Sequence, residues 1–121
     1  MNLATELRTA AEKLRRDAEA AHRASPAPWT VTDEHVVRCA DGMIVADRSG
    51  TDHPAERADI PYIAAMDPTV GTLLAQLLDV EADVVAARTA MDGTEDYAAD
   101  YGTNHLLDIA RLINGTTEET A

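Results

Sequence analysis

Aromatic side chains are almost absent from the chain, and their scarcity limits the core that it can build. Its 121 residues include one Trp, three Tyr and no Phe. We therefore expect a core of Leu, Ile, Val and Ala, in which the longer aliphatic side chains contribute most of the buried area. The length is sufficient for one hydrophobic core, which predicts a single domain over residues 1–121.

Cysteine is nearly absent as well. Cys39 is the single cysteine, so the chain cannot form an internal disulfide. The sequence around it indicates no base that would activate its thiol. We therefore expect Cys39 to be a small buried hydrophobic residue and not a nucleophile.

Long apolar runs and basic residues are also scarce. No run reaches the length of a membrane helix, and the first residues show no signal-peptide pattern. Lys and Arg number 10 against 22 Asp and Glu, which gives a net charge of −12. Such a field repels the phosphates of nucleic acids and anionic lipids. We expect a cytoplasmic protein with no membrane partner and no direct nucleic-acid binding.

The first half of the chain predicts a helix followed by strands. Residues 1–24 place apolar side chains at helical spacing, and a proline-containing segment follows them. Residues 29–47 contain three short β-branched runs, separated by Asp33-Glu34 and by Asp41-Gly42, which is a signal for a two-residue hairpin. This pattern predicts a three-stranded antiparallel meander that packs on helices, with Trp29 as the anchor.

Two further helices are predicted around Asp67-Pro68. Residues 59–66 form a short helix, and Asp67 can cap the next one with Pro68 in its first position. Residues 68–91 then form a long helix. Its apolar positions alternate at spacings of three and four, namely Val70, Leu73, Leu77, Val80, Val84, Ala87 and Met91. This is a heptad seam, and it has two interpretations: packing within the monomer, or packing against another copy in a dimer or tetramer.

The last helix is predicted over residues 94–114. The short link after residue 91 makes the two long helices an antiparallel hairpin, and residues 116–121 are expected to be a frayed tail. The fold class that follows is α+β, with an N-terminal helix, a meander, a short helix and a helical hairpin.

No group of residues in the sequence predicts an active site. His105 and Asp108 have a spacing that can hold a metal ion, but a solvated pair at the edge of the core is the simpler interpretation. Asp41 and Asp47 are explained by a turn and by a strand end. There is no glycine-rich loop of the kind that binds phosphate. We therefore expect no catalytic residue, no metal, no cofactor and no enzymatic activity.

Two alternatives to simple protein binding come from the sequence. Glu95, Asp96 and Asp100 form an acidic stretch that can imitate the phosphates of a duplex, which would make the protein a DNA-mimic inhibitor of a nucleic-acid enzyme. The second alternative is a protein that sequesters a small ligand, in a pocket beside Trp29 and Tyr62.

Residues 26–80 carry a family resemblance. The order "PAPWTV", "VVRCADGMIVAD" and "ADIPYIAAMDPTVGTLLAQLL" resembles small hypothetical proteins of actinobacteria and their phages, and ea-type early-region accessory proteins of lambdoid phages. The matching residues are Trp29, Gly42, Val45, Ala46, Tyr62, Ile63, Ala64, Ala65 and Pro68. The resemblance implies a helical, oligomeric accessory protein of phage type, with no catalytic residue to transfer.

Together these patterns predict a non-catalytic protein that acts by protein–protein binding. We expect a homo-oligomer, a dimer or a tetramer, that engages a host protein. The residues expected to form its interface or its core are Trp29, Tyr62, Ile63, Leu73, Leu77, Val80, Val84 and Ile109.

Overall fold

The computed structural model describes residues 2–50, 53–100 and 104–115, and for Ala99 and Asp100 it describes the backbone only. Within these ranges the fold is α+β, as predicted. The elements in chain order are α1 (Leu3–Ala24), β1 (Thr30–Val31), β2 (Val36–Arg38), β3 (Ile44–Asp47), α2 (Pro54–Arg57), α3 (Asp59–Ala65), α4 (Pro68–Asp92), α5 (Asp96–Asp100) and α6 (His105–Asn114).

The chain forms two compact units. Unit 1 consists of residues 1–16 and 73–121, and unit 2 consists of residues 17–72. The single domain expected over residues 1–121 stays a prediction. None of the helices in the described ranges combines the length and the apolar character that a membrane crossing requires.

Unit 1 has a core of closely packed helices in which alanine is the commonest residue. Small side chains allow helices to approach each other closely, and Leu7 and Leu78 contribute the largest fully buried side chains of this unit. The buried cluster consists of Leu3, Ala4, Leu7, Ala10, Ala11, Leu78, Ala82, Val85, Ala98, Leu107 and Ala110. The prediction of a core made of aliphatic side chains and alanine is therefore confirmed for the described residues of this unit.

Polar contacts at the N-terminus of α1 tie it to the rest of unit 1. The side chain of Asn2 accepts a hydrogen bond from the N–H of Thr5 at 2.8 Å, as expected of an N-cap. The Leu3 N–H donates to the carboxylate of Glu95 at 2.9 Å. Further along α1, the carboxylate of Glu6 receives two hydrogen bonds from the guanidinium of Arg111, at 3.2 and 3.3 Å. Because both side chains of this pair are largely buried, the contact fixes α6 against α1.

Unit 2 contains the predicted meander, a three-stranded antiparallel sheet in the order β1-β2-β3. Helix α3 packs against all three strands. Val36, Val37, Cys39 and Ile60 are buried there, and the expectation for Cys39 as a small buried residue is confirmed.

Both hairpins of the sheet use the same loop, which has three residues and not the two predicted from Asp41-Gly42. In the second hairpin, the Gly42 N–H donates to the Cys39 carbonyl, and the Cys39 N–H donates to the Met43 carbonyl. In the first hairpin, the His35 N–H donates to the Thr32 carbonyl in the same way. The last loop residue takes a positive φ in each case, 83° at Gly42 and 62° at His35. Glycine adopts this conformation without a steric penalty, whereas histidine does not.

Two helical segments differ from the sequence prediction. Helix α2 lies between the predicted meander and the predicted short helix, where the sequence predicted no helix, and the His53 side chain caps it by accepting from the Ala55 N–H at 3.2 Å. The single helix predicted over residues 94–114 is wrong at Asn104, which is not helical. Its side chain instead caps a separate helix, α6, by accepting from the Leu107 N–H at 2.9 Å. The frayed tail predicted over residues 116–121 lies outside the described residues.

Candidate functional site

Helix α4 has two apolar faces. Its inner face, defined by Ala75, Leu78, Ala82 and Val85, is buried. Its outer face is defined by the heptad positions that lie within unit 1: Leu73, Leu77, Val80, Val84, Ala87 and Met91. At 3.6 residues per turn these six positions fall within about 80° of one another, nearly opposite the inner face.

The outer face is exposed along its whole length. Leu77 is 49% exposed and Met91 is 83% exposed, whereas Leu78, one residue after Leu77, is completely buried. The heptad pattern therefore does not build the core of unit 1, so Leu73, Leu77, Val80 and Val84 are wrong as core residues. A helix that is apolar on both sides normally has both sides covered, and exposed apolar patches mark interaction sites. The expected role of these four exposed residues of α4 in an interface stays a prediction.

Two ion pairs hold α4 in this orientation. Arg15 of α1 pairs with Asp79, and Arg8 of α1 pairs with Asp83 at 3.1 Å. Asp79 and Asp83 are one turn apart on the same flank of α4, between its inner and outer faces. The pairs are partly exposed, so each contributes at most about 1 kcal/mol, but they add to the buried inner face in fixing which side of α4 faces solvent.

The remaining predicted interface or core residues lie elsewhere. Trp29 is partly buried, and its indole N–H donates to the Ser25 carbonyl at 2.7 Å. Tyr62 is 68% exposed, so it does not belong to the core, and its alternative role as an interface residue stays a prediction. Ile63 and Ile109 are partly buried. None of these four residues lies on α4, so the structure does not place them on its outer face.

The buried carboxylate of Asp67 is a structural feature that the sequence predicted only in part. Its Oδ1 accepts from the N–H groups of Thr69 at 2.9 Å and Val70 at 3.2 Å, which caps α4 as expected. Its Oδ2 accepts from the Trp29 N–H at 3.3 Å. This second contact joins residues 38 positions apart, and no sequence signal indicated it.

One carboxylate of the predicted acidic face makes a structural contact that the structure describes. The Glu95 carboxylate accepts from the Leu3 N–H at the start of α1. Asp96 is exposed and begins α5, where its N–H donates to the Thr94 hydroxyl at 3.2 Å. The side chain of Asp100 lies outside the described residues. The Glu95 carboxylate is therefore engaged within unit 1, and the acidic face as a whole stays a prediction.

Three of the four histidines take part in local hydrogen bonds. His22 Nδ1 accepts from the Ala27 N–H at 3.1 Å, and His53 caps α2. His35 Nε2 lies 2.9 Å from the guanidinium of Arg57. A guanidinium only donates, so this nitrogen of His35 is the acceptor. His105 is exposed, and no group of three or more potential metal ligands occurs among the residues that the structure describes.

Among the residues that the structure describes, Asp47 has a carboxyl group with a lowered pKa. Hydrogen bonds from the Ser49 side chain and from its N–H lower the pKa of Asp47, and Arg38 adds a small attraction. A lowered pKa in the folded state adds stability above the ordinary pKa of aspartate, and this contribution is lost as the pH falls through the lowered value. The group is fully exposed at the end of β3, so the shift reflects a local turn.

A small cavity lies beside the outer face of α4. Its volume is about 180 Å³, and its lining includes Glu81, Val84, Arg88 and Tyr97. The Arg88 guanidinium stacks on the Tyr97 ring, 4.0 Å from its centroid. This cavity is in unit 1 and not beside Trp29 and Tyr62, where a ligand pocket was expected from the sequence.

Comparison with known proteins adds no family to these observations. A scan against models of protein families, a search of curated proteins and a search of solved structures each found no match to the chain.

Proposed function

We propose that this chain is a non-catalytic protein-binding module that assembles with a second copy of itself through the outer face of α4. One observation carries the proposal: the heptad positions from Leu73 to Met91 are apolar without interruption, and the large ones are about half exposed or more. A heptad seam packs best on a helix with the same spacing, and a second copy always supplies one.

The size of the outer face supports a dimer of moderate affinity. From Leu73 to Met91 it is about 27 Å long, at 1.5 Å per residue. Its six positions provide a short and narrow apolar strip on each copy, which places the pair among the small, weak interfaces. We therefore expect dissociation constants in the micromolar range.

The cellular setting is part of the same proposal. The resemblance of residues 26–80 supports an accessory protein of phage type, acting in the cytoplasm, whose dimer presents its remaining surface to a host protein. The two alternatives, a DNA mimic and a small-ligand protein, have no described contact that favours them over self-association.

The test compares two substitutions of similar exposure on unit 1. Val80 is 58% exposed on the outer face of α4, and Leu112 is 65% exposed on α6. We expect the unmodified protein to dimerise with rising concentration in sedimentation experiments. Val80→Glu places a charge in the seam and should leave a folded monomer up to high micromolar concentration, while Leu112→Glu should still dimerise.

A strictly monomeric unmodified protein at high micromolar concentration would refute the proposal. So would a Val80→Glu variant that assembles as well as Leu112→Glu, because association would then use another surface. Helical circular dichroism of both variants shows that each one is folded.

A further inference from the structure

The polar residues that flank the outer face indicate how two copies are arranged. Gln76 and Asp83 lie on one side of the face, and Glu81 and Arg88 lie on the other. When the residues of the outer face are assigned to heptad positions a and d, Gln76 and Asp83 occupy g positions. Glu81 and Arg88 then occupy e positions. These four polar residues flank the middle of the outer face, whereas the apolar Leu74 and Ala90 occupy the same heptad positions near its two ends. Over its middle turns the apolar surface is therefore as wide as a two-stranded seam.

We propose that two copies pair their α4 helices in parallel and in register, with Asp83 of each copy facing Arg88 of the other. This arrangement rests on the proposed function, since it assumes that the outer face is the interface. In a parallel pair, a g residue faces the e residue five positions later on the partner helix. Asp83 and Arg88 have this spacing and opposite charge, and the twofold axis makes the contact twice.

The other parallel contact is compatible with this register. Gln76 faces Glu81 of the partner, and a neutral amide can donate to a carboxylate. The parallel arrangement therefore creates two attractive contacts and no pair of like charges along the seam.

An antiparallel arrangement brings like charges together. In an antiparallel pair, e positions lie beside e positions and g positions beside g positions. Residues near the centre of the outer face, close to residue 82, would then lie near the same residues of the partner. Glu81 would then lie near Glu81 of the partner, and Asp83 near its own counterpart. Like charges across an interface disfavour the arrangement that brings them together.

The side chains concerned are accessible in the monomer. The Asp83 side chain is 78% exposed while it pairs with Arg8. The Arg88 side chain is 42% exposed, and its guanidinium lies on the Tyr97 ring and 3.5 Å from Asp92. An incoming Arg88 that turns away from Tyr97 and Asp92 would join Arg8 on the same carboxylate without breaking the pair between Arg8 and Asp83. Exposed ion pairs add little affinity, so the apolar face provides the binding and the charges select the direction.

Disulfide trapping distinguishes the two directions. The native thiol is first removed by Cys39→Ala, and Leu73→Cys and Met91→Cys are then introduced separately at the two ends of the outer face. In a parallel pair each introduced cysteine meets its own counterpart, so both single variants should form covalent dimers under mild oxidation. Leu112→Cys on α6 is the control for random collision and should stay uncrosslinked.

An antiparallel pair gives the opposite result. The thiol introduced at position 73 of one copy would then face the thiol introduced at position 91 of the other, while like positions would be about 27 Å apart. Crosslinks that form only in a mixture of the two variants would overturn the parallel arrangement but leave the proposed function intact. A dimer by sedimentation without crosslinks at either position would also overturn it. A monomer at every concentration would remove both proposals.

Discussion

At the scale of single residues, Asp67 makes the largest number of backbone contacts described for one side chain in unit 2. Its buried carboxylate accepts from two N–H groups at the start of α4 and from the N–H of Trp29. Replacing an N-cap usually costs about 0.5–2 kcal/mol, and a buried donor that loses its partner adds a further penalty.

We predict that Asp67→Ala lowers the free energy of unfolding by about 1–3 kcal/mol. Asp67→Asn keeps an acceptor oxygen and should lose less. Asp33→Ala, at an exposed position, is the control and should change stability by less than about 0.5 kcal/mol. Urea denaturation followed by circular dichroism measures all three, and equal stability of Asp67→Ala and Asp33→Ala would contradict the prediction.

Local contacts of this kind could be predicted from the sequence, whereas distant ones could not. The cap at Asp67 depends on residues two and three positions away, a spacing that the sequence shows directly. The bond to Trp29 depends on how the chain folds back. The left-handed backbone of His35 was also unpredicted, because the residue that normally signals it is glycine, and here contacts to Arg48 and Arg57 hold a histidine in that conformation.

At the scale of elements, α4 serves two surfaces with neighbouring side chains. Leu78 is fully buried in the core of unit 1, and Leu77 projects to the outer face. The two residues are chemically identical and adjacent, so substitutions at them differ only in the surface that they affect.

Leu78→Ala should lower the free energy of unfolding by about 2–5 kcal/mol, because it leaves a cavity in a packed core. Leu77→Ala should change the stability of the monomer by less than about 1 kcal/mol but weaken dimerisation. Unfolding measured at a protein concentration below the dissociation constant, together with sedimentation at higher concentration, separates the two effects. Equal losses of monomer stability would show that the outer face is also covered within the monomer.

The sequence predicted α4 to within one residue, since it was assigned to 68–91 and spans 68–92. It also identified the heptad positions. It could not show what covers them, because spacing identifies a face and not its partner. The inner face is harder to identify in the sequence, because Ala75 and Ala82 contribute little to an apolar pattern. The same small side chains allow α4 to pack closely on its neighbours.

The division of the last helix was missed for a similar reason. Residues 94–114 contain enough apolar positions for one continuous helix, but Asn104 competes with the helix by capping α6 with its side chain. The same amide also donates to the Glu81 carboxylate on α4 at 3.1 Å, a distant contact that stabilises the break.

At the scale of the whole molecule, net charge opposes the proposed assembly. Each copy carries −12, so two copies repel each other at low ionic strength. The outer face has no charged residue at its heptad positions, and burial of apolar surface is not screened by salt. Screening therefore reduces the repulsion more than the attraction.

We predict that raising sodium chloride from low to moderate concentration tightens dimerisation severalfold. The physical reason is that the screening length falls from about 30 Å at 0.01 M salt to about 10 Å at 0.1 M. Sedimentation across a salt series measures the change, and Val80→Glu in the same series controls for salt-induced aggregation. Weaker association with added salt would indicate that charge pairs, and not the apolar face, dominate the contact.

The position of Trp29 also determines what spectroscopy can distinguish. It is the single tryptophan of the chain and belongs to unit 2, whereas the greater part of α4 and the whole of α6 belong to unit 1. Tryptophan fluorescence therefore reports on unit 2, whereas the helical circular dichroism signal comes mainly from unit 1. If the two signals lose their native values at different denaturant concentrations, the units melt as independent cooperative blocks, and if they coincide, the chain behaves as one.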